Sequence, residues 1–199
     1  ARRVTPDRAI AALNAAAGGP VAEGSTGGGN GMICYAFKGG TGTASRRFTI
    51  AGADYMMGVL VQANHGRRPD FRVLGRPVGA LMPEGVFDRN KPAPQKEMGS
   101  IIVVLITDAP LSRLSLNHVA RRAALGLGRG GTPGGNSSGD IFLALSTANA
   151  GPMPQLGAAV LTRSEINGEL IDPAYLAAVE CVEEAVVNAI VAGEDVATF

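Results

Sequence analysis

The sequence is poor in the residues that build disulfide frameworks and metal sites. It has two cysteines, Cys34 and Cys181, and two histidines, His65 and His118. Both cysteines lie in apolar patterns and are expected to be buried thiols rather than a disulfide framework. The two histidines lack the spacing of metal ligands and are interpreted as structural. We therefore expect no metal and no cofactor.

An excess of charge of one sign and long apolar runs are also missing. The 199 residues carry a formal net charge of +1 with both signs mixed, which indicates no nucleic-acid-binding surface. No apolar run approaches the ~20 residues of a membrane-spanning helix, so no membrane partner is expected. The basic start has no apolar segment behind it and is not a signal peptide. Since the first residue is Ala1, we expect a mature product or a piece of a longer protein. These residues carry no signal that decides between a cytoplasmic and a periplasmic location.

Apolar periodicity and glycine or proline boundaries predict an α+β chain. We treat residues 1–199 as a single domain that is long enough to bury a substantial core. Short glycine-rich links favour antiparallel pairing of the first three strands. Helices are predicted at 6–17, 111–127 and 172–192, and strands at 32–38, 44–52, 54–63, 100–107 and 140–149.

The segment around residue 100 is the most informative part of the chain. A proline- and charge-rich stretch at 88–97 leads to Gly99 and Ser100, and branched apolar residues follow directly as far as Thr107. This run predicts a buried strand that begins with a serine. Cleavage of the Gly99–Ser100 bond would give Ser100 a hydroxyl nucleophile and a free α-amine. Such an amine has an ordinary pKa near ~8 and can act as the base for the hydroxyl. The alternative is an ordinary loop that enters a strand.

Two other stretches place polar groups beside strand ends. At 136–140 (Asn-Ser-Ser-Gly-Asp), Ser138 could relay hydrogen bonds to the nucleophile and Asp140 could hold a cationic group. The alternative is a simple turn. Asn64, after a predicted strand, could donate its amide to an oxyanion or could be a turn asparagine.

The glycine-rich loop that precedes Asp140 has two interpretations. We assign Gly135 and Ser137 to substrate binding together with Asp140, because a glycine loop lets a ligand approach the backbone. The same region begins with a GxGxxG pattern at 126–131. That pattern closes a predicted helix instead of following a strand, which argues against nucleotide binding.

Several motifs, taken in order, resemble one enzyme family. They are 27–32, 34–46, 58–64, Gly99-Ser100 and 136–140. Over nearly the whole chain they resemble the DmpA-type peptidases, which are the L-aminopeptidase/D-esterases and β-peptidyl aminopeptidases. The resemblance implies a precursor that cleaves itself between Gly99 and Ser100 into an α-chain and a β-chain. It also implies an αββα sandwich similar to that of the N-terminal nucleophile hydrolases.

The resemblance further implies roles for individual residues. Ser100 is expected to be the nucleophile, Asn64 to lie in the oxyanion hole, and Ser138 and Asp140 to be polar partners in the site. The implied assembly is a homotetramer without metal, and the implied substrates are short peptides and amino-acid amides or esters with L-, D- or β-residues. The family has a segment before the position of Ala1 and a C-terminal extension, so we expect this chain to be a fragment.

Two alternatives stay open at this point. An ornithine/glutamate N-acetyltransferase-like enzyme has a similar self-cleaving fold, but that family uses threonine at the cut where this sequence has Ser100. A catalytically inactive structural subunit is the other alternative, and in that case Ser100 would not react with a serine-directed reagent.

Overall fold

The computed structural model describes residues 4–83, 97, 99–152 and 157–194. The four α-helices of these ranges are α1 (Pro6–Asn14), α2 (Val78–Leu81), α3 (Arg113–Arg129) and α4 (Asp172–Val191). The strands are β1 (Ile33–Cys34), β2 (Phe37–Lys38), β3 (Gly40–Ile50), β4 (Ala53–Asn64), β5 (Ser100–Thr107) and β6 (Ile141–Ser146). Helices and strands are both present, which confirms the α+β prediction. Within the same ranges, no helix is both long enough and apolar enough to cross a membrane.

A four-stranded sheet in the order β3-β4-β5-β6 is the centre of the fold. The pairs β3–β4 and β4–β5 are antiparallel, and β5–β6 is parallel. The parallel pair arises because β5 and β6 are connected through α3, a crossover helix of the kind that parallel neighbours require. The strand predicted at 100–107 is confirmed, and so is the antiparallel pairing predicted between the second and third strands. The region of the first predicted strand forms a separate two-stranded sheet, β1-β2, and does not join this one.

One face of the sheet is buried beneath helices. Alternate residues of β5, starting with Ile101, are buried, while α4 packs on β3 and β4 and α3 packs on α4 and β6. Small residues bring these layers close together. A Cβ on Gly42 would lie 1.9 Å from the carbonyl oxygen of Ala185, and one on Gly126 would lie 2.6 Å from that of Val179. The GxGxxG pattern therefore begins with a helix-packing glycine.

The other face of the sheet is apolar and exposed in the described part of the chain. Its exposed side chains come from the three neighbouring strands β4, β5 and β6. They are Met56, Ile102, Ile106, Ile141, Leu143 and Leu145. Since side chains alternate along a strand, Ser100 shares this face with Ile102. The start of β5 thus lies at the end of an uncovered apolar surface.

Three predictions about the N-terminal half need correction. The predicted strand at 32–38 is wrong, because Tyr35 and Ala36 have φ values of 49° and 56° and reverse the chain between β1 and β2. The predicted helix at 6–17 is present as α1 but ends at Asn14, and the apolar periodicity that predicted it does not correspond to a buried face: Leu13 is 76% exposed. The strand expected at 44–52 begins earlier, since Gly40 already pairs with Ala63. The stretch at 88–97 falls, apart from its last residue, outside the described residues.

Candidate active site

Ser100 and Asn64 face each other at the ends of the two inner strands of the sheet. Ser100 is the first residue of β5 and pairs directly with Asn64, the last residue of β4. Opposed residues of an antiparallel pair point to the same face with their Cα atoms ~5 Å apart. Gly99 is packed against the same strand end, where a Cβ would lie 1.9 Å from the carbonyl oxygen of Asn64. Glycine before Ser100 is therefore a steric requirement of this approach.

The side-chain amide of Asn64 is held in one orientation. The backbone N–H of Ile33 donates to Asn64 Oδ1 at 3.0 Å. This contact uses the oxygen branch of the amide and leaves the Nδ2 branch as the hydrogen-bond donor. An amide donor on the residue paired with Ser100 is a candidate for stabilising an oxyanion.

The segment between α3 and β6 reaches Ser100 from the other side. The N–H of Gly139 donates to Ser100 Oγ at 2.9 Å. One oxygen of Asp140 accepts two hydrogen bonds, from the Ile101 N–H at 3.0 Å and from the Ser138 hydroxyl at 2.5 Å. In this structure Ser138 therefore contacts Asp140, and the donor to the Ser100 hydroxyl is the Gly139 backbone. Sequence reasoning missed Gly139 because a backbone donor leaves no side-chain signal.

Of the residues predicted for substrate binding, Asp140 lies beside Ser100, while Gly135 and Ser137 lie earlier in the same loop. Ser137 is exposed. The N–H of Gly135 donates to Glu97 Oε2 at 3.3 Å. Glu97 also lies in the site region. Local patterns provide no reason to select it, because it belongs to a stretch without periodicity.

His65 follows Asn64 directly and is buried, with 2% of its surface exposed. Its Nδ1 lies 3.7 Å from Cys34 Sγ, and its ring packs edge-on against Tyr35 at a centroid distance of 5.1 Å. Burial lowers the pKa of His65 and favours the neutral imidazole. Among the described residues, no group of three or more His, Cys, Asp or Glu side chains could hold a metal ion.

The two thiols are predicted to be chemically inert in the folded protein. Burial raises the pKa of both Cys34 and Cys181 to about 12. At pH ~8 only about one thiol in 10⁴ is then ionised, and the thiolate is the reactive form. We expect no reaction with Ellman's reagent until the protein is unfolded, when both thiols react.

The same pKa values give the sign of a pH effect on stability. Both thiols are harder to ionise in the folded than in the unfolded chain, where the pKa is near ~8.5. Their contribution to the free energy of unfolding is therefore complete below that pH and decreases as the pH rises toward about 12. Rapid labelling of Cys34 and Cys181 in the folded protein at neutral pH would contradict the raised pKa values on which both predictions depend.

The sequence profile of Peptidase family S58 matches residues 1–199. The chain belongs to Peptidase family S58. This result confirms the family that the sequence motifs indicated.

Two proteins with sequences similar to this chain are β-peptidyl aminopeptidases. The chain is 46% identical over 202 residues to β-peptidyl aminopeptidase BapA of Sphingosinicella microcystinivorans, a match that covers 96% of this chain and 50% of the relative. It is 43% identical over 204 residues to the BapA of Sphingosinicella xenopeptidilytica, covering 96% and 49%. The chain thus spans about half the length of these relatives.

Solved structures of similar proteins show the same fold. The L-aminopeptidase D-Ala-esterase/amidase of Ochrobactrum anthropi superposes with a TM-score of 0.87 at 52% identity, covering 97% of this chain and 51% of that one. It is described as a prototype for the serine aminopeptidases and a variant of the Ntn hydrolase fold. A Burkholderia sp. β-aminopeptidase superposes with a TM-score of 0.83 at 44% identity, covering 99% and 54%. The predicted N-terminal-nucleophile-like fold is confirmed.

Proposed function

We propose that this chain is part of a self-processing aminopeptidase whose nucleophile is an N-terminal Ser100. The observation that carries the proposal is the position of the Ser100 hydroxyl. It follows the Gly99–Ser100 bond directly, lies opposite Asn64, and accepts the Gly139 N–H. Membership of family S58 and the aminopeptidase names of its relatives support the same conclusion. They also favour it over the acetyltransferase-like alternative.

The first step is cleavage of the chain itself. Ser100 Oγ attacks the carbonyl carbon of Gly99 and loses its proton, the Gly99 C–N bond breaks, and that proton is transferred to the Ser100 nitrogen, which becomes the α-amine. The product is an ester between Gly99 and Ser100 Oγ. Water then hydrolyses the ester, which leaves a carboxylate on Gly99 and a free α-amine and hydroxyl on Ser100.

Turnover uses the groups that cleavage has released. The Ser100 α-amine accepts the hydroxyl proton while Oγ attacks the carbonyl of the substrate's first residue. The Asn64 amide stabilises the oxyanion, and the α-ammonium returns the proton to the leaving amine. Water then hydrolyses the acyl-enzyme by the same route and regenerates Ser100.

A carboxylate beside the nucleophile suits a substrate with a free amine. Asp140 accepts two hydrogen bonds through Oδ1, and its second oxygen is the candidate partner for the substrate ammonium. Because such a site contacts the amine and the carbonyl, it tolerates variation in the carbon between them. We propose short peptides, amides and esters with L-, D- or β-residues as the substrate class, and a homotetramer as the assembly.

The test uses the full-length protein and measures two properties. Denaturing intact mass and N-terminal sequencing should find two chains, one beginning Ser-Ile-Ile-Val. Aminoacyl p-nitroanilides with a free amine should be hydrolysed about 10–100-fold faster than their N-acetylated counterparts, since acetylation removes a charge-assisted hydrogen bond. An uncut chain without hydrolysis would contradict the proposal. Acetyl transfer to glutamate without hydrolysis would favour the acetyltransferase-like alternative.

A further inference from the structure

Glu97 lies three residues before Ser100, and its side chain is buried, with 7% of the residue exposed. Its carboxylate accepts three hydrogen bonds. Oε1 accepts the Gly66 N–H at 2.8 Å, while Oε2 accepts the Thr132 hydroxyl at 2.6 Å and the Gly135 N–H at 3.3 Å. A buried carboxylate with this many donors is held in a defined position.

The three donors belong to the two segments that carry the other site residues. Gly66 is two residues beyond Asn64, and Gly135 precedes Ser138 in the loop that contacts Ser100. Thr132 is itself held in place. Its N–H donates to the Tyr35 hydroxyl at 3.2 Å, and its hydroxyl accepts the Gly134 N–H at 3.1 Å. The Glu97 carboxylate therefore connects the segment before the predicted cut to the two segments that carry Asn64 and Ser138.

The position of Gly99 makes this connection relevant to cleavage. Gly99 lies between Glu97 and Ser100 and is packed against the Asn64 carbonyl so closely that no Cβ would fit. Attack on the Gly99 carbonyl requires the reacting atoms to approach within ~3–3.5 Å with the correct alignment. A displacement of ~1 Å at such a site costs about 10²-fold in rate. The anchor that keeps the Gly99 carbonyl in place thus affects the cleavage rate directly.

We propose that Glu97 is the positioning residue for cleavage of the Gly99–Ser100 bond. The inference rests on the proposed self-processing function. Glu97 acts by holding the backbone of Gly99 against the end of β4 while the Gly139 N–H contacts the Ser100 hydroxyl. After cleavage Glu97 and Ser100 belong to different chains, so the anchor no longer determines where the nucleophile lies.

The replacement Glu97→Gln in the full-length protein tests this role. Glutamine offers one acceptor oxygen instead of two, so at least one buried donor, such as the Gly66 N–H, loses its partner. We expect self-cleavage to slow about 10–100-fold. Its rate is measured by gel electrophoresis of the protein at successive times after a translation pulse. Turnover of a p-nitroanilide per cleaved chain, normalised by active-site titration, should fall by a smaller factor, because Ser100 is then no longer joined to Glu97 through the backbone. A structural residue of the mature site would reduce both rates equally, and that result would overturn the inference.

Matched variants separate positioning from loss of stability. Glu169→Gln makes the same replacement at an exposed residue and should cleave at the wild-type rate. Val119→Ala removes buried volume from α3, away from the site, and serves as a control for reduced thermal stability. If Val119→Ala with an equal loss of Tm slows cleavage as much as Glu97→Gln, the inference is wrong.

A second variant keeps the test decisive if Glu97→Gln does not fold. Thr132→Val removes one of the three donors and should slow cleavage about 3–10-fold. Failure of the wild-type protein to cleave would contradict the proposed function itself. Wild-type cleavage together with unchanged rates in Glu97→Gln and Thr132→Val would contradict only the role of Glu97.

Discussion

Replacement of Ser100 by alanine is expected to leave the Gly99–Ser100 bond intact and to abolish aminopeptidase activity. The substitution removes the Oγ atom that accepts the Gly139 N–H and that we propose as the group attacking the Gly99 carbonyl. Without cleavage the α-amine stays in a peptide bond, so the nucleophile and its base are lost together. Hydrolysis of an aminoacyl p-nitroanilide should fall by about 10⁴-fold or more, the loss typical of removing a catalytic nucleophile.

The fold is expected to survive this substitution. Ser100 is half-buried at the first position of β5, and alanine keeps the backbone pairing with Asn64. The same replacement at Ser45, an exposed residue of β3, is the control and should leave cleavage and hydrolysis at wild-type rates. Intact mass and a p-nitroanilide assay measure both variants. Cleavage or hydrolysis in Ser100→Ala above about 1% of the wild-type rate would exclude Ser100 as the nucleophile.

Replacement of Asn64 by alanine is expected to lower kcat by about 10²–10³-fold with little change in KM. An oxyanion forms only after attack, so a donor directed at it stabilises the transition state more than the bound substrate. Self-cleavage should slow as well, because attack on the Gly99 carbonyl develops the same charge. Single-turnover assays on the cleaved fraction distinguish the two effects.

A second variant separates the oxyanion role of Asn64 from its structural contact. Asn64→Asp keeps an oxygen that accepts the Ile33 N–H but removes the Nδ2 donor. We expect a loss of kcat at least as large as in Asn64→Ala, since the new carboxylate repels the oxyanion. Asn188→Ala is the matched control, because it loses an amide hydrogen bond to the Thr43 carbonyl far from the site. Near-normal kcat in Asn64→Asp would show that the contact with Ile33 is what matters.

The exposed apolar face of the sheet explains why the activity tests require the full-length protein. Ser100 lies at one end of this face, and the apolar residues Ile102 and Ile106 continue along β5. The chain spans about half the length of its relatives. In the αββα sandwich that the resemblance implies, a second sheet packs on such a face. For this reason the tests of activity use the full-length protein.

The sequence was sufficient for elements with strong local signals. The apolar run after Ser100 predicted β5 correctly, and Asp172 with its following proline predicted the start of α4. It was insufficient where neighbours decide the conformation. Tyr35 and Ala36 adopt left-handed φ values because tertiary contacts override the extended preference of the surrounding residues, and the carbonyls of both accept hydrogen bonds from the buried Arg68 guanidinium.

For the site, the sequence by itself determined which side chains we propose for the chemistry: a serine after glycine, an asparagine at a strand end, and a carboxylate after two serines. Those residue types and their motifs were sufficient to indicate the family. Only the tertiary structure decided how they meet. The register of β4 on β5 places Asn64 opposite Ser100. Long-range hydrogen bonds add the Gly139 backbone and the buried Glu97, because contacts across thirty or more residues leave no trace in local pattern.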